Sequence, residues 1–114
     1  MSFERVQRIN ALIREELGAL IIRELELPPN LMITITGVNT SADLSYADIS
    51  ISALPIDRGE DALLLMTRAH KLLRKELAKK LRFWKMPSLR FTLDTTASHV
   101  DQIDALIDKI HEEG

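Results

Sequence analysis

The chain has 114 residues, 46% of them apolar and 28% charged, with a formal charge of −2; these are the values of one compact globular domain, here residues 1–114. They exclude a disordered or collagen-like chain, and the absence of cysteine excludes a disulfide framework, a thiolate metal site and a cysteine nucleophile. The longest unbroken apolar run, Ala62 to Met66, is far too short to cross a bilayer, and Met1-Ser2-Phe3-Glu4-Arg5 lacks the apolar stretch of an export signal. No membrane partner is expected.

Ser2 is a suitable N-cap, and Val6, Ile9, Ile13, Leu17, Leu20 and Ile21 recur at helical spacing, which predicts an amphipathic helix over residues 3–26. Pro28-Pro29-Asn30 ends it. From Leu31 to Thr40 the chain is rich in β-branched residues, with Ile33 and Ile35 alternating with Thr34 and Thr36, the pattern of a strand. Tyr46 to Leu54 alternates cleanly, placing Ala47, Ile49, Ile51 and Ala53 toward a core and Asp48, Ser50 and Ser52 toward water. Thr40-Ser41-Ala42-Asp43 suits the turn between them.

Pro55 and Gly59 bound a loop, after which Glu60 to Phe83 contains strong helix formers and no internal glycine or proline. Its apolar stripe changes phase. Ala62, Met66, Ala69 and Leu73 advance by 4, 3 and 4, whereas Leu73, Leu77 and Leu81 advance by fours, a drift of about 40° per step that predicts a kink near residues 69–72. Leu89-Arg90-Phe91-Thr92-Leu93 after Pro87 reads as a third strand. Ser98 with Asp101 resembles a capping box before Ile103, Leu106, Ile107 and Ile110, a short terminal helix. The expected fold is α+β, with helices packed on one face of a three-stranded sheet.

The near-neutral total hides an asymmetry. Between Arg68 and Arg90 the sequence has nine basic residues (68, 71, 74, 75, 79, 80, 82, 85 and 90) against Glu76 alone, a local balance of +8 against −10 for the remainder. Arg68, Lys71, Lys75, Lys79 and Arg82 step by 3, 4, 4 and 3 along one helix face, flanked by Arg74 and Lys80. A solvated helix face ordinarily mixes signs; this one has the character of a polyanion-binding surface. Trp84, between Phe83 and Lys85, is suited equally to stacking on an unpaired base and to packing, while Phe83 is a core candidate. The candidate polyanion-facing set is therefore Arg68, His70, Lys71, Arg74, Lys75, Lys79, Lys80, Arg82, Trp84, Lys85 and Arg90.

Catalytic chemistry finds no such concentration. Ser98, His99 and Asp101 are neighbours in sequence without a nucleophile elbow. Asp104, Asp108 and His111 share a helical face, where solvation explains them better than a metal does, and Asp43, Asp48 and Asp94 read as solvated carboxylates on the wet face of the sheet. No phosphate-cradling glycine motif is present. Neither catalysis, nor a metal, nor a cofactor is expected.

Ile33-Thr34-Ile35-Thr36-Gly37-Val38 followed by Ser41-Ala42-Asp43-Leu44-Ser45-Tyr46-Ala47 resembles the hairpin signature of the ribosome-binding factor A family. Arg5-Val6, Ile9 and Arg14-Glu15-Glu16-Leu17 resemble its first helix, Leu73-Arg74-Lys75-Glu76-Leu77 with Leu81-Arg82 its basic helix, and Pro87-Ser88-Leu89-Arg90-Phe91 with Asp94 its last strand; Ile103-Asp104-Ala105-Leu106-Ile107 resembles its terminal helix. The resemblance implies a type II KH-like domain with the order α-β-β-α-kink-α-β-α. It further implies a bacterial, cytoplasmic, monomeric assembly factor that binds the small (30S) ribosomal subunit and its 16S rRNA and assists maturation of that RNA's ends. The family's kink carries Ala-x-Gly, and Ala69-His70-Lys71 occupies that place here. Lys71 is thus expected to project to solvent beside Lys75 from an uncommon backbone angle. Rival readings are a KH-like binder of other RNA, a protein-interaction module and a cryptic metal-dependent hydrolase.

Overall fold

The computed structural model describes residues 3–82 and 85–94. Helix α1 (Phe3–Glu24) buries Ile9, Ile13, Leu17, Leu20 and Ile21, the apolar stripe of the sequence, and ends two residues earlier than the pattern predicts. Asn30 then adopts φ 65°, a left-handed conformation that asparagine tolerates. The amide of Leu31 donates to the Pro28 carbonyl at 3.1 Å and directs the chain into the sheet.

Strand β1 (Met32–Thr40) runs antiparallel to β2 (Tyr46–Leu54), and β3 (Ser88–Leu93) lies parallel to β2 on its other side, giving the order β1-β2-β3. A parallel pair needs a long crossover. Helices α2 (Gly59–Arg68) and α3 (His70–Lys80), introduced by a 3-10 turn over Ile56–Arg58, supply it. The result is an α+β layer with the KH-like order that the resemblance implies, α-β-β-α-break-α-β, followed to the end of β3. The terminal helix predicted from Ser98 lies outside the described residues, as do Phe83 and Trp84.

On β2 the alternation holds throughout: Ala47, Ile49, Ile51 and Ala53 are buried against the helices. On β1 it does not. Ile33 pairs with Ala53 and Ile35 with Ile51, but a bulge between Ile35 and Gly37 shifts the register, so that Val38 pairs with Ile49 and Thr40 with Ala47. One inserted residue exchanges the faces of a strand. Val38 and Thr40 therefore take the core side, which unbroken alternation does not anticipate.

The hairpin turn spans residues 41–45, slightly later than the sequence suggests. Asp43 accepts hydrogen bonds from the Ser41 hydroxyl at 2.8 Å and the Ser45 amide at 3.0 Å, and the Ser41 oxygen accepts from the Tyr46 amide. These bonds hold Leu44 at φ 61°, a conformation costing a non-glycine residue roughly 1–2 kcal/mol. Its side chain is buried in the core, which returns about as much through the hydrophobic effect.

The helices cover one face of the sheet through Ala62, Met66, Leu73, Leu77 and Leu81, and all of these are buried. The opposite face carries Thr34, Ser50, Ser52, Thr92 and Arg90. Asn10 on α1 accepts from the Thr40 amide at 2.9 Å, and Arg14 donates to the Ile35 carbonyl at 3.4 Å. Two backbone groups on the outer edge of β1, which would otherwise be open to strand addition, are thereby occupied.

Candidate nucleic-acid interface

The helix layer is interrupted at Ala69, whose φ of −89° and ψ of 0° separate α2 from α3. Its amide still donates to Leu65 at 3.0 Å, and its carbonyl accepts from Leu73 at 2.9 Å. One residue in this sparsely populated region is enough to absorb the change in apolar phase between Met66 and Leu73. The uncommon backbone angle expected of Lys71 does not occur. Among the described residues only Asn30 and Leu44 combine a side chain with positive φ. Lys71 is the second residue of α3 and ordinarily helical, so the position that the resemblance gives to glycine does not require one here.

The break leaves Arg68, Lys71 and Lys75 exposed on the outer side of the layer. Among the described residues none of the three has an acidic partner within ion-pairing distance. Lys79 and Lys80 extend the exposed cationic surface toward the end of α3, where Lys79 donates to Glu76 at 3.1 Å. The one acidic residue in the basic stretch thus neutralises part of it. Two exposed leucines, Leu64 and Leu72, stand among the cations, where angular spacing along the helices locates both.

His70 is half-buried at the break, with Nδ1 2.6 Å from the Thr67 carbonyl. A carbonyl only accepts, so Nδ1 carries the proton and Nε2 is left for an outside partner. Arg74 is exposed but committed. Its guanidinium donates to the carbonyls of Met86 at 2.9 Å and Pro87 at 3.2 Å, tying α3 to the segment that enters β3. This role is invisible in the helical spacing. Arg82 is exposed just beyond α3.

Lys85 and Arg90 lie apart from the helical row. Hydrogen bonds from Ser45 and then Ser41 hold Asp43 at about 2, well below the usual 3.8, with a smaller contribution from the positive charge of Lys85. Arg90 points to the open face of the sheet, because its neighbour Leu89 is buried on the helical side. There it forms a two-pronged pair with Asp48 at 2.6 and 2.9 Å and stacks 4.2 Å from the centre of the Tyr46 ring. Asp48 is therefore ion-paired, not merely solvated as the sequence suggested, and hydrogen bonding from Arg90 lowers its pKa. Parallel pairing of β2 with β3 sets Asp48 opposite Arg90, and alternation within each strand gives no indication of that register. The structure does not bring Arg90 to the helical cations.

No group of three or more metal-ligating side chains occurs among the described residues, and no helix there is long and apolar enough to cross a membrane. Asp104, Asp108 and His111 lie outside that region, as do Ser98, His99 and Asp101.

The sequence model of ribosome-binding factor A matches residues 5–107. The chain belongs to the ribosome-binding factor A family. It is 37% identical to the ribosome-binding factor A of Hahella chejuensis, across 94% of this chain and 84% of that protein. For the factor of Alkalilimnicola ehrlichii the identity is 36%, across 97% and 87%. The crystal structure of ribosome-binding factor A from Thermus thermophilus aligns with a TM-score of 0.67 and 26% identity, over 77% of this chain and 94% of that one. A homology model of the Thermus factor, fitted into a cryo-electron microscopy map of its 30S complex, aligns at 0.63 with 29% identity, over 75% and 91%. The helix break and its cations lie within the residues that the family model matches.

Proposed function

We propose that this chain is a cytoplasmic, monomeric assembly factor that acts as one KH-like domain on the 30S ribosomal subunit, binding 16S rRNA and assisting maturation of the precursor's ends. The Thermus relative in a 30S complex supports the choice of partner. The observation that carries the reading is the exposed row Arg68, Lys71 and Lys75, which has no acidic partner among the described residues. Cations so placed neutralise phosphates and release condensed counterions, which gives affinity without reading bases. Lys79, Lys80 and Arg82 extend the row, while His70 Nε2 is available to a phosphate or base edge beside the break.

Arg74 acts indirectly in this reading, by fixing α3 against the entry to β3. The factor works by occupancy: it makes and breaks no covalent bond, and it holds an immature RNA arrangement until later steps displace it. The acidic remainder of the chain limits indiscriminate binding. Co-sedimentation with 30S subunits tests the proposal. Lys71→Glu/Lys75→Glu should abolish it in a protein whose circular dichroism is unchanged; undiminished co-sedimentation of the folded variant would refute it.

A further inference from the structure

The open end of the β1–β2 hairpin has apolar side chains that the core does not use. Met32 pairs with Leu54. Because Ile33 and Ala53 pack toward the helices, alternation sends Met32 and Leu54 to the opposite face, next to the hydroxyls of Thr34 and Ser52. Met32 is 61% exposed, Leu54 60% and Ile56, two residues further on, 42%. Large apolar residues grouped in this way on a small domain mark an interaction surface. With Asn30, Leu31 and Pro55, the Met32 and Leu54 side chains line a groove of about 450 Å³ in which Asn30 is the one polar residue. Its walls are held by backbone hydrogen bonds, Leu31 to the Pro28 carbonyl on one side and Arg58 to the Pro55 carbonyl on the other, both at 3.1 Å.

The charge at this end selects what enters. Residues 24–32 and 54–61 have five acidic side chains against Arg58 alone. Arg58 is engaged by Asp61 at 3.3 Å, and Glu24 is paired with Arg23 at 3.1 Å. Glu26, Asp57 and Glu60 are left, all exposed and without a cation in ion-pairing distance among the described residues. Such a surface repels phosphates, whether of RNA or of a lipid headgroup, and attracts a cationic polypeptide. We propose that the groove takes an apolar side chain of an extended, lysine- and arginine-rich polypeptide segment, whose cations are met by Glu26, Asp57 and Glu60.

The source of the segment rests on the proposed function: it belongs to a protein component of the 30S subunit. Proteins that bind RNA are basic for the same reason that the α2–α3 row is. Helix α2 has 10 residues and so spans about 15 Å, leading from the acidic end of the molecule to Arg68. RNA at the helix break and a basic segment in the groove therefore have separate places on one chain.

The groove is tested without ribosomes. The probe is a short synthetic peptide in which leucine alternates with lysine and arginine, titrated into the isotope-enriched full-length chain. Amide shifts should saturate and centre on Leu31, Met32, Leu54 and Ile56. Met32→Ser, and separately Asp57→Lys/Glu60→Lys, should each weaken the affinity about tenfold or more; these side chains are exposed, and circular dichroism confirms that each variant is folded. A peptide of the same charge with serine for leucine should bind about tenfold more weakly. Equal affinity for the two peptides would reduce the site to unselective charge attraction and overturn the proposal, as would shifts centred on Glu15 and Glu16 of α1 or on Ser50 and Thr92 of the sheet. The same shifts on raising the protein concentration alone would assign the groove to a second copy and also overturn it. The partner is tested on purified 30S subunits. The chain lacks cysteine, so Thr34→Cys, two residues from Met32 on the same face, gives a single attachment point for a photo-cross-linker, which should join the chain to a subunit protein. A cross-link to 16S rRNA, or none from a chain that co-sediments, would overturn the partner. Failure of the chain to co-sediment at all would refute the proposed function instead, and the peptide titration would still decide the groove.

Discussion

Gly59→Ala sets two opposing effects against each other at the joint between β3 and α2. The backbone at Gly59 is right-handed helical, with φ −58° and ψ −41°, so alanine fits it and the gain in helix propensity is at most about 1 kcal/mol. The new methyl, however, would lie 2.7 and 2.9 Å from the two terminal carbons of Leu93 and 3.4 Å from its branch carbon. Apolar carbons are comfortable at about 3.5–4.0 Å, so both branches of one side chain must retreat together, and rotating either one alone does not relieve the other. Overpacking of this kind costs about 1–3 kcal/mol, which leaves a net loss near 1 kcal/mol and a fall in Tm of about 4 °C for a domain of this size. Truncation by Leu93→Ala costs about 1–2 kcal/mol for a partly buried leucine, yet it removes the obstruction. In that background Gly59→Ala should stabilise, giving a coupling of about 2 kcal/mol in a urea-denaturation cycle. Additive effects, within about 0.5 kcal/mol, would refute the contact as the reason for glycine here.

The hairpin turn should titrate. Because the folded state holds Asp43 at about 2 against an ordinary 3.8, its contribution is complete above about pH 4 and is lost as pH falls toward 2; Asp43→Asn should remove this part of the acid dependence of the denaturation midpoint, and an unchanged acid limb would refute the assignment. Asn10→Ala leaves the Thr40 amide on the edge of β1 without its partner and should lower stability by about 1 kcal/mol. An unchanged midpoint in urea would show that solvent replaces the bond at no cost.

Elements whose periodicity reports burial were legible in the sequence: the stripe of α1, the clean alternation of β2 and the phase change that the structure resolves as a break at Ala69. What escaped depends on relations between distant segments. The bulge at Thr36 moves Val38 and Thr40 into the core through pairing with β2, and nothing local to β1 announces it. Asp48 and Arg90 are 42 residues apart and meet only through the parallel register of β2 and β3. Helical spacing placed Lys79 in the cationic row with Lys71 and Lys75, and Arg74 on its flank, without separating free from committed cations. Arg74 instead anchors the loop before β3, and Lys79 is shared with Glu76. The exposure of Leu64 and Leu72 is not legible in residue type, because leucine at helical spacing ordinarily marks a core.

The salt dependence of binding to a 16S rRNA fragment tests the central claim most directly. Each phosphate contact removed should shallow the slope of log K against log salt by about 0.7–0.9. Lys71→Ala/Lys75→Ala should therefore reduce it by roughly 1.4–1.8, while Arg90→Ala, whose charge is matched by Asp48 on the open face of the sheet, should leave it at the parent value. Equal slopes for the double variant and the parent, or a loss seen with Arg90→Ala instead, would contradict the assignment of the broken helix pair as the RNA-binding face.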